Sequence, residues 1–144
     1  MKNIRLGQTK DLVDLLALYT HLHNNEVPAQ LPTDLWQEIM ADRNHYVIVA
    51  EEDGQLVSSC VLLVVPNLTR GQRPYSLVEN VVTHTDYRKR GLASAVLAFA
   101  KDIAVQRGCY KIALLTGSKN EATLRFYESA GYNAQDKTGY ILWL

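Results

Sequence analysis

The sequence predicts one α/β (α+β) domain with a mixed, mostly antiparallel central sheet flanked by helices. Three observations predict it. Asp53-Gly54, a dipeptide that supplies the positive φ of a tight hairpin turn, separates two runs rich in Val, Ile and Leu at 46–52 and 55–65. Leu92, Val96, Phe99 and Ile103 recur at helical spacing between two further strand-like runs, so a helix crosses between strands, the connection a parallel pair requires. No repeat, low-complexity block or long linker divides the chain.

Each element follows in order. Residues 3–6 are short and β-like. From Thr9 onward Leu12, Leu15, Leu16, Tyr19 and Leu22 fall at three- and four-residue spacing, which gives one apolar helical face. Pro28 and Pro32 break the chain, and Thr33 can cap a second short helix through Ala41. The hairpin comes next, then a polar loop over 66–74 and a third central strand over 75–84. The helix over 91–107 leads to a compact strand over 110–116. A last helix over 120–130 has Gly131 at its stop position, and 137–144 is again strand-like.

Composition narrows the function. At 144 residues a folded chain buries roughly 68–70% of the surface its unfolded form exposes, enough for a core without staples. Lys plus Arg and Asp plus Glu each number 15. That balance excludes a general nucleic-acid binder, which needs a strong positive excess to neutralise phosphates, so any anion site must be local. Cys60 and Cys109 sit in apolar strand-like runs and read as buried thiols in a reducing compartment, not as a disulfide framework. The opening residues carry no apolar stretch of signal-peptide length. The longest apolar run, 60–65, is far too short to span a bilayer, so the expectation is a cytoplasmic protein without membrane contact. His21 and His23 are too close along a helix to share a face, and no metal cluster is expected.

The most informative segment is Arg88-Lys89-Arg90-Gly91-Leu92-Ala93, between a strand and a long helix. A helix N-terminus carries unpaired N–H groups and partial positive charge, and small residues let an anion approach that backbone. Gly91 and Ala93 provide access, and Arg88, Lys89 and Arg90 add local charge, a combination that suits a pyrophosphate. A turn glycine beside a solvated basic cluster is the alternative reading.

The stretch from Val81 through Val82, Thr83 and His84 to Arg88, Gly91, Leu92 and Ala93 resembles motif A of the GNAT superfamily of acetyl-CoA-dependent acyltransferases, with its Gln/Arg-x-x-Gly-x-Gly/Ala loop. Asn120, followed by Phe126-Tyr127-Glu128 and Gly131-Tyr132, resembles a second motif of that family, and the element order fits across essentially the entire chain. The resemblance implies a single GNAT-like domain with a splayed parallel pair, 76–84 and 110–116, that admits the pantetheine arm of acetyl-CoA. It implies that backbone groups of Val81, Val82 and Thr83 pair with that arm. Amides from Lys89, Arg90, Gly91, Leu92, Ala93 and Ser94 would hold the pyrophosphate, Asn120 would hydrogen-bond the arm, and Tyr127 would protonate or hydrogen-bond the coenzyme sulfur. Asn120 also reads as a plain helix cap.

Acyl transfer to an amine needs a neutral amine, a stabilised oxyanion and a protonated leaving thiolate. Phe126 and Tyr127 are adjacent on a helix and point about 100° apart, so Tyr127 can face a cleft when Phe126 enters the core. A tyrosine near pKa ~10 that protonates a thiolate near ~8.5 climbs roughly 2 kcal/mol, which a hydrogen bond in a drier cleft can offset. Glu79 is the first choice of base: alternation puts it on one side with Leu77, Val81 and Thr83, among apolar neighbours whose desolvation would raise its pKa. An ion pair with Arg70 or Arg73 is the alternative for Glu79. His84 is the second base candidate.

Glu79-Asn80-Val81 and 108–112 resemble the glucosamine-phosphate acetyltransferase branch of the same family, but Asn80 stands where that branch has an acidic residue and 118–124 departs from it. Its amino-sugar substrate is therefore not carried over. The acceptor is expected to be the primary amine of a small molecule, with a protein or peptide amine as an alternative, and its pocket to draw on the first two helices, the 66–74 loop, with Asn67, Arg70, Arg73 and Tyr75, and the last hairpin, with Thr116 at its border. No Cys lies in either motif, so attack is expected to be direct, in a ternary complex. An acyl-CoA-binding sensor without turnover is the rival class. Ile141, Leu142, Trp143 and Leu144 suit either a buried strand or a homodimer contact.

Overall fold

The computed structural model describes residues 2–22 and 26–144. Its contacts divide the chain into two compact units, Met1–Ala113 and Leu114–Leu144.

In the first unit β1 (Lys2–Leu6), β2 (His45–Glu52), β3 (Gln55–Val65), β4 (Tyr75–Thr83) and β5 (Ile112–Ala113) form one sheet in sequence order. The pairs β1–β2, β2–β3 and β3–β4 are antiparallel and β4–β5 is parallel, the mixed pattern the sequence predicts. Asp53 and Gly54 turn the β2–β3 hairpin with φ of 52° and 79°.

Helices cover both faces. Leu12, Leu15 and Leu18 of α1 (Leu12–Tyr19) and Trp36 of α2 (Thr33–Ala41) bury against Val47 and Val49 of β2, Leu56 and Val61 of β3 and Val82 of β4. On the other face lie Leu92, Val96, Leu97, Ala100 and Ala104, the buried stripe of α3 (Leu92–Gln106). Their strand partners by alternation are Ile48, Cys60, Leu62 and Val78. Cys60 is buried there with its sulfur 3.6 Å from the Val96 carbonyl, and burial pushes its thiol pKa up to about 12. Cys109 is half-buried, more open than the sequence reading has it.

The second unit contains α4 (Glu121–Ser129). Gly131, at φ 100°, ends it: its N–H donates to the Glu128 carbonyl and that of Tyr132 to the Tyr127 carbonyl, each at 3.0 Å, the paired closure that favours glycine after a helix.

Several expectations change. The helix expected from Thr9 begins as a 3-10 turn, Thr9–Asp11, because the Asp11 carboxylate folds back onto the Gln8 N–H at 2.7 Å. It ends at Tyr19, short of Leu22, and His23 lies outside the described residues. Thr33 is the first residue of α2, not its cap; Pro32 precedes it and no side chain caps the helix. The strand expected over 110–116 shrinks to two residues because its ladder with β4 covers only Ser76 and Leu77. The run 137–144 forms no strand among the described residues, and Tyr140 through Leu144 are exposed. An apolar run becomes a strand only where a neighbouring backbone takes up its hydrogen bonds. No described helix is long and apolar enough to cross a membrane.

One buried ionic network fastens the first turn to the sheet. Arg5 of β1 meets Asp11 with two hydrogen bonds, at 2.7 and 3.1 Å, and Glu51 of β2 at 2.6 Å. Asp11 is only 2% exposed. Burial alone would raise its pKa, but the hydrogen bonds from Arg5 and the Gln8 amide, with the charges of Arg5 and Lys10, outweigh burial and hold it below the usual carboxylate value. A carboxylate held low stabilises the fold above its unfolded pKa of ~3.9 and loses that contribution as pH falls through the folded value. Asp11→Ala is expected to cost about 3 kcal/mol at neutral pH in urea unfolding, because it strips a partner from a mostly buried Arg5. The gap from wild type should narrow below about pH 4; a gap independent of pH would refute the ionic account.

Candidate active site

β4 does not run straight. Val61 of β3 faces Glu79 and Ser59 faces Val82, so Asn80 and Val81 together stand opposite Cys60. This is a β-bulge, and Asn80 takes the left-handed conformation at φ 52°. The extra residue resets the alternation after it. Glu79 shares the α1 face with Val82, while Thr83 moves to the other face, where its hydroxyl meets that of Ser58 at 2.9 Å. The expected shared side of Glu79, Val81 and Thr83 does not form.

Glu79 precedes the bulge and is exposed, so the enclosure expected from apolar neighbours is not formed. The α1-side core takes Val61 from β3 and Val82 from β4. An ion pair with Arg73 is not formed either: Arg73 donates to the carbonyls of Gly108 and Cys109 at 3.1 and 3.0 Å. Arg70 lies over the Tyr110 ring at 5.4 Å, and Asn67 closes its own loop onto Thr69 and Arg73. Asn67 and Arg73 therefore hold the 66–74 loop in shape.

One group escaped the sequence reading. Tyr19, taken for part of the apolar stripe of α1, turns its hydroxyl to the bulge. Burial pushes its pKa up to about 12, and hydrogen bonding with Asn80 and Ser59 offsets part of that rise. The available signal was an Asn inside a run of β-branched residues, since Asn tolerates a positive φ that Val does not.

Beyond the bulge the backbone of Val81, Val82 and Thr83 continues along β4 past the end of its ladder with β5. His84 follows, half-buried, and a 3-10 turn, Thr85–Tyr87, leads to the basic loop. Arg88 donates to the Thr83 carbonyl at 3.3 Å. Lys89 is left-handed at φ 61°. Arg90 donates to the Asp86 carbonyl at 3.2 Å, stacks 4.8 Å above the Tyr87 ring and lies 3.6 Å from Glu52. Gly91, at φ 75°, is the N-cap residue of α3, and no side chain caps that helix. Nothing stands within 4 Å of where a Cβ on Gly91 would be. Leu92 is buried, Ala93 half-buried and Ser94 exposed. The first amides of α3 thus open onto uncrowded space flanked by three basic residues, an arrangement fit for a phosphate-bearing ligand.

In the second unit the Asn120 side chain caps α4 by accepting from the Ala122 N–H at 2.8 Å. Tyr127 lies against Phe126 and Tyr132, with ring centroids 5.1 and 6.2 Å away. Thr116 accepts from the Ser118 N–H at 3.2 Å. Among the described residues no group of three or more His, Cys, Asp and Glu could hold a metal ion.

A mixed sheet with a bulged strand that runs into a glycine-opened helix N-terminus is the frame of an acyltransferase, the class to which the sequence assigns this chain. The sequence model of the acetyltransferase (GNAT) family matches residues 11–132, and the chain belongs to that family of acetyl-CoA-dependent N-acyltransferases. It is 30% identical to glucosamine 6-phosphate N-acetyltransferase of Trypanosoma brucei brucei over 138 residues, covering 93% of this chain and 90% of that protein. It is 28% identical over 133 residues to an acetyltransferase of Yersinia pestis, covering 92% of this chain and 89% of the other. A solved structure from Agrobacterium tumefaciens strain C58, named only provisionally as an acetyltransferase, superposes with a TM-score of 0.91 at 38% identity, over 99% of both chains.

The bulge can be tested without substrate. Asn80→Gly accepts the left-handed φ and removes only the hydrogen bond to Tyr19, so urea unfolding should register a loss of about 1 kcal/mol. Asn80→Val adds backbone strain and should lose a further ~1–2 kcal/mol. Equal stability of the two variants would contradict the bulge.

Proposed function

We propose that the protein transfers the acetyl group of acetyl-CoA to the primary amine of a small molecule by direct attack in a ternary complex. The observation that carries this reading is the N-terminus of α3: a left-handed Gly91, no side-chain cap, and open space before the amides of 92–94. A diphosphate there accepts hydrogen bonds that the helix cannot satisfy internally and gains from the partial positive charge of the helix end. Arg88, Lys89 and Arg90 supply the local charge that a protein of zero net charge otherwise lacks.

The pantetheine arm pairs with the backbone of Val81, Val82 and Thr83 in the manner of an added strand, with Asn120 as a further hydrogen-bonding partner. The neutral amine attacks the thioester carbonyl, a C–N bond forms, and the tetrahedral intermediate collapses with loss of the C–S bond. Tyr127 gives the departing thiolate its proton. The proton lost by nitrogen passes to Glu79 or to water and restores Tyr127, so the products are an amide and coenzyme A. Glu79 is exposed, so its carboxylate is accessible to the proton shed by the attacking nitrogen.

Thiol release measured over amino acids, polyamines and amino sugars, glucosamine 6-phosphate among them, tests the acceptor class. Coenzyme binding with no release over the whole panel would establish a sensor instead. Gly91→Trp is expected to weaken acetyl-CoA binding about tenfold or more in calorimetry, since the side chain fills the approach and strains a left-handed position; unchanged affinity removes the loop from the site. Tyr127→Phe should lower kcat about 100-fold and leave coenzyme affinity within twofold, and an unaltered kcat removes Tyr127 from the mechanism.

A further inference from the structure

His84 was a candidate base, yet its position serves another purpose. It lies four residues beyond Asn80, about 13 Å along a strand at ~3.3 Å per residue, on the side of the basic loop. Its Nδ1 already accepts a hydrogen bond from the Asp86 N–H at 3.1 Å. The His84 backbone is fixed as well, its N–H donating to the Val57 carbonyl at 2.8 Å and its carbonyl accepting from Tyr87 at 2.9 Å.

We propose that His84 is a positioning residue for the coenzyme: its imidazole, braced by His21, caps the Thr85–Tyr87 turn and so sets where Arg88, Lys89 and Arg90 stand before Gly91. This rests on the reading of that loop as the diphosphate site. A single turn of 3-10 helix holds poorly by itself, so the cap matters. The contacts run without a gap from α1 to the loop. The His21 and His84 rings are 4.2 Å apart, the His84 and Tyr87 rings meet edge to face at 5.4 Å, and Arg90 lies over Tyr87 while it holds the Asp86 carbonyl.

Only an unprotonated Nδ1 can accept from Asp86, so the neutral tautomer of His84 carries its proton on Nε2. Desolvation, helped by the nearby charge of Arg88 and opposed by Asp86, holds His21 below its usual pKa. The two rings also line a cavity of about 230 Å³ with Asp14, Leu18, Gln55 and Leu56, which places them at the wall between α1 and the β2–β3 turn.

Calorimetry with acetyl-CoA and with coenzyme A, on wild type, His84→Ala and His84→Asn, tests the proposal. Asparagine retains a side-chain acceptor for the N–H two residues on. His84→Ala should weaken both ligands about fivefold, the loss expected of a missing cap, equally for the two because both carry the diphosphate. His84→Asn should restore binding to within twofold of wild type. Nitrogen-15 spectra of the unliganded wild type at about pH 8 should show His84 protonated at Nε2. Unchanged binding by His84→Ala, no rescue by His84→Asn, or a proton on Nδ1 each overturns the role of His84. Wild type that binds neither ligand overturns the loop reading on which it stands; the tautomer needs no ligand and keeps the two failures apart.

Discussion

The bulge at Asn80 is the constraint on which the arrangement of the site depends. One extra residue in β4 opposite Cys60 moves every side chain after it to the opposite face from the one simple alternation assigns. Val82 therefore enters the α1-side core while Thr83 turns to Ser58. A left-handed Asn inside a strand costs strain, and here Tyr19, itself bonded to Ser59, meets its side chain from the α1 side. The strand that leads to the basic loop thus has its direction fixed from both faces of the sheet.

Charge is used in two distinct ways within a chain whose total is zero. Arg5, Asp11 and Glu51 form a network that is largely withdrawn from water and joins β1, β2 and the first turn. Arg88, Lys89 and Arg90 are exposed; Arg88 and Arg90 are tethered through backbone carbonyls, and Arg90 also lies 3.6 Å from Glu52. The first set secures architecture by mutual pairing. The second surrounds a helix end where main-chain amides supply the directional contacts.

Local chemistry was the legible part. Asp53-Gly54 announces the hairpin because the turn needs positive φ at both residues, and it forms there. The repeat of Leu92, Val96, Phe99 and Ile103 announces α3, and Gly91 and Gly131 mark its beginning and the end of α4. Features set by distant partners were not legible. The shared side expected for Glu79 and Thr83 failed because a bulge cannot be seen in a period of two, and 137–144 failed as a strand because an apolar run does not disclose whether a ladder awaits it. The meeting of His21 with His84 joins residues 63 positions apart, and no local pattern signals it.

Gly91 has a consequence for how such a protein diverges. Because its recess is shaped by a main-chain angle and by amide groups common to every amino acid, inheritance must keep one glycine there but few particular side chains around it. Lineages are then at liberty to rewrite the surfaces that choose an acceptor while the same anchorage persists. Kinship of this sort survives in shape long after it has faded from spelling.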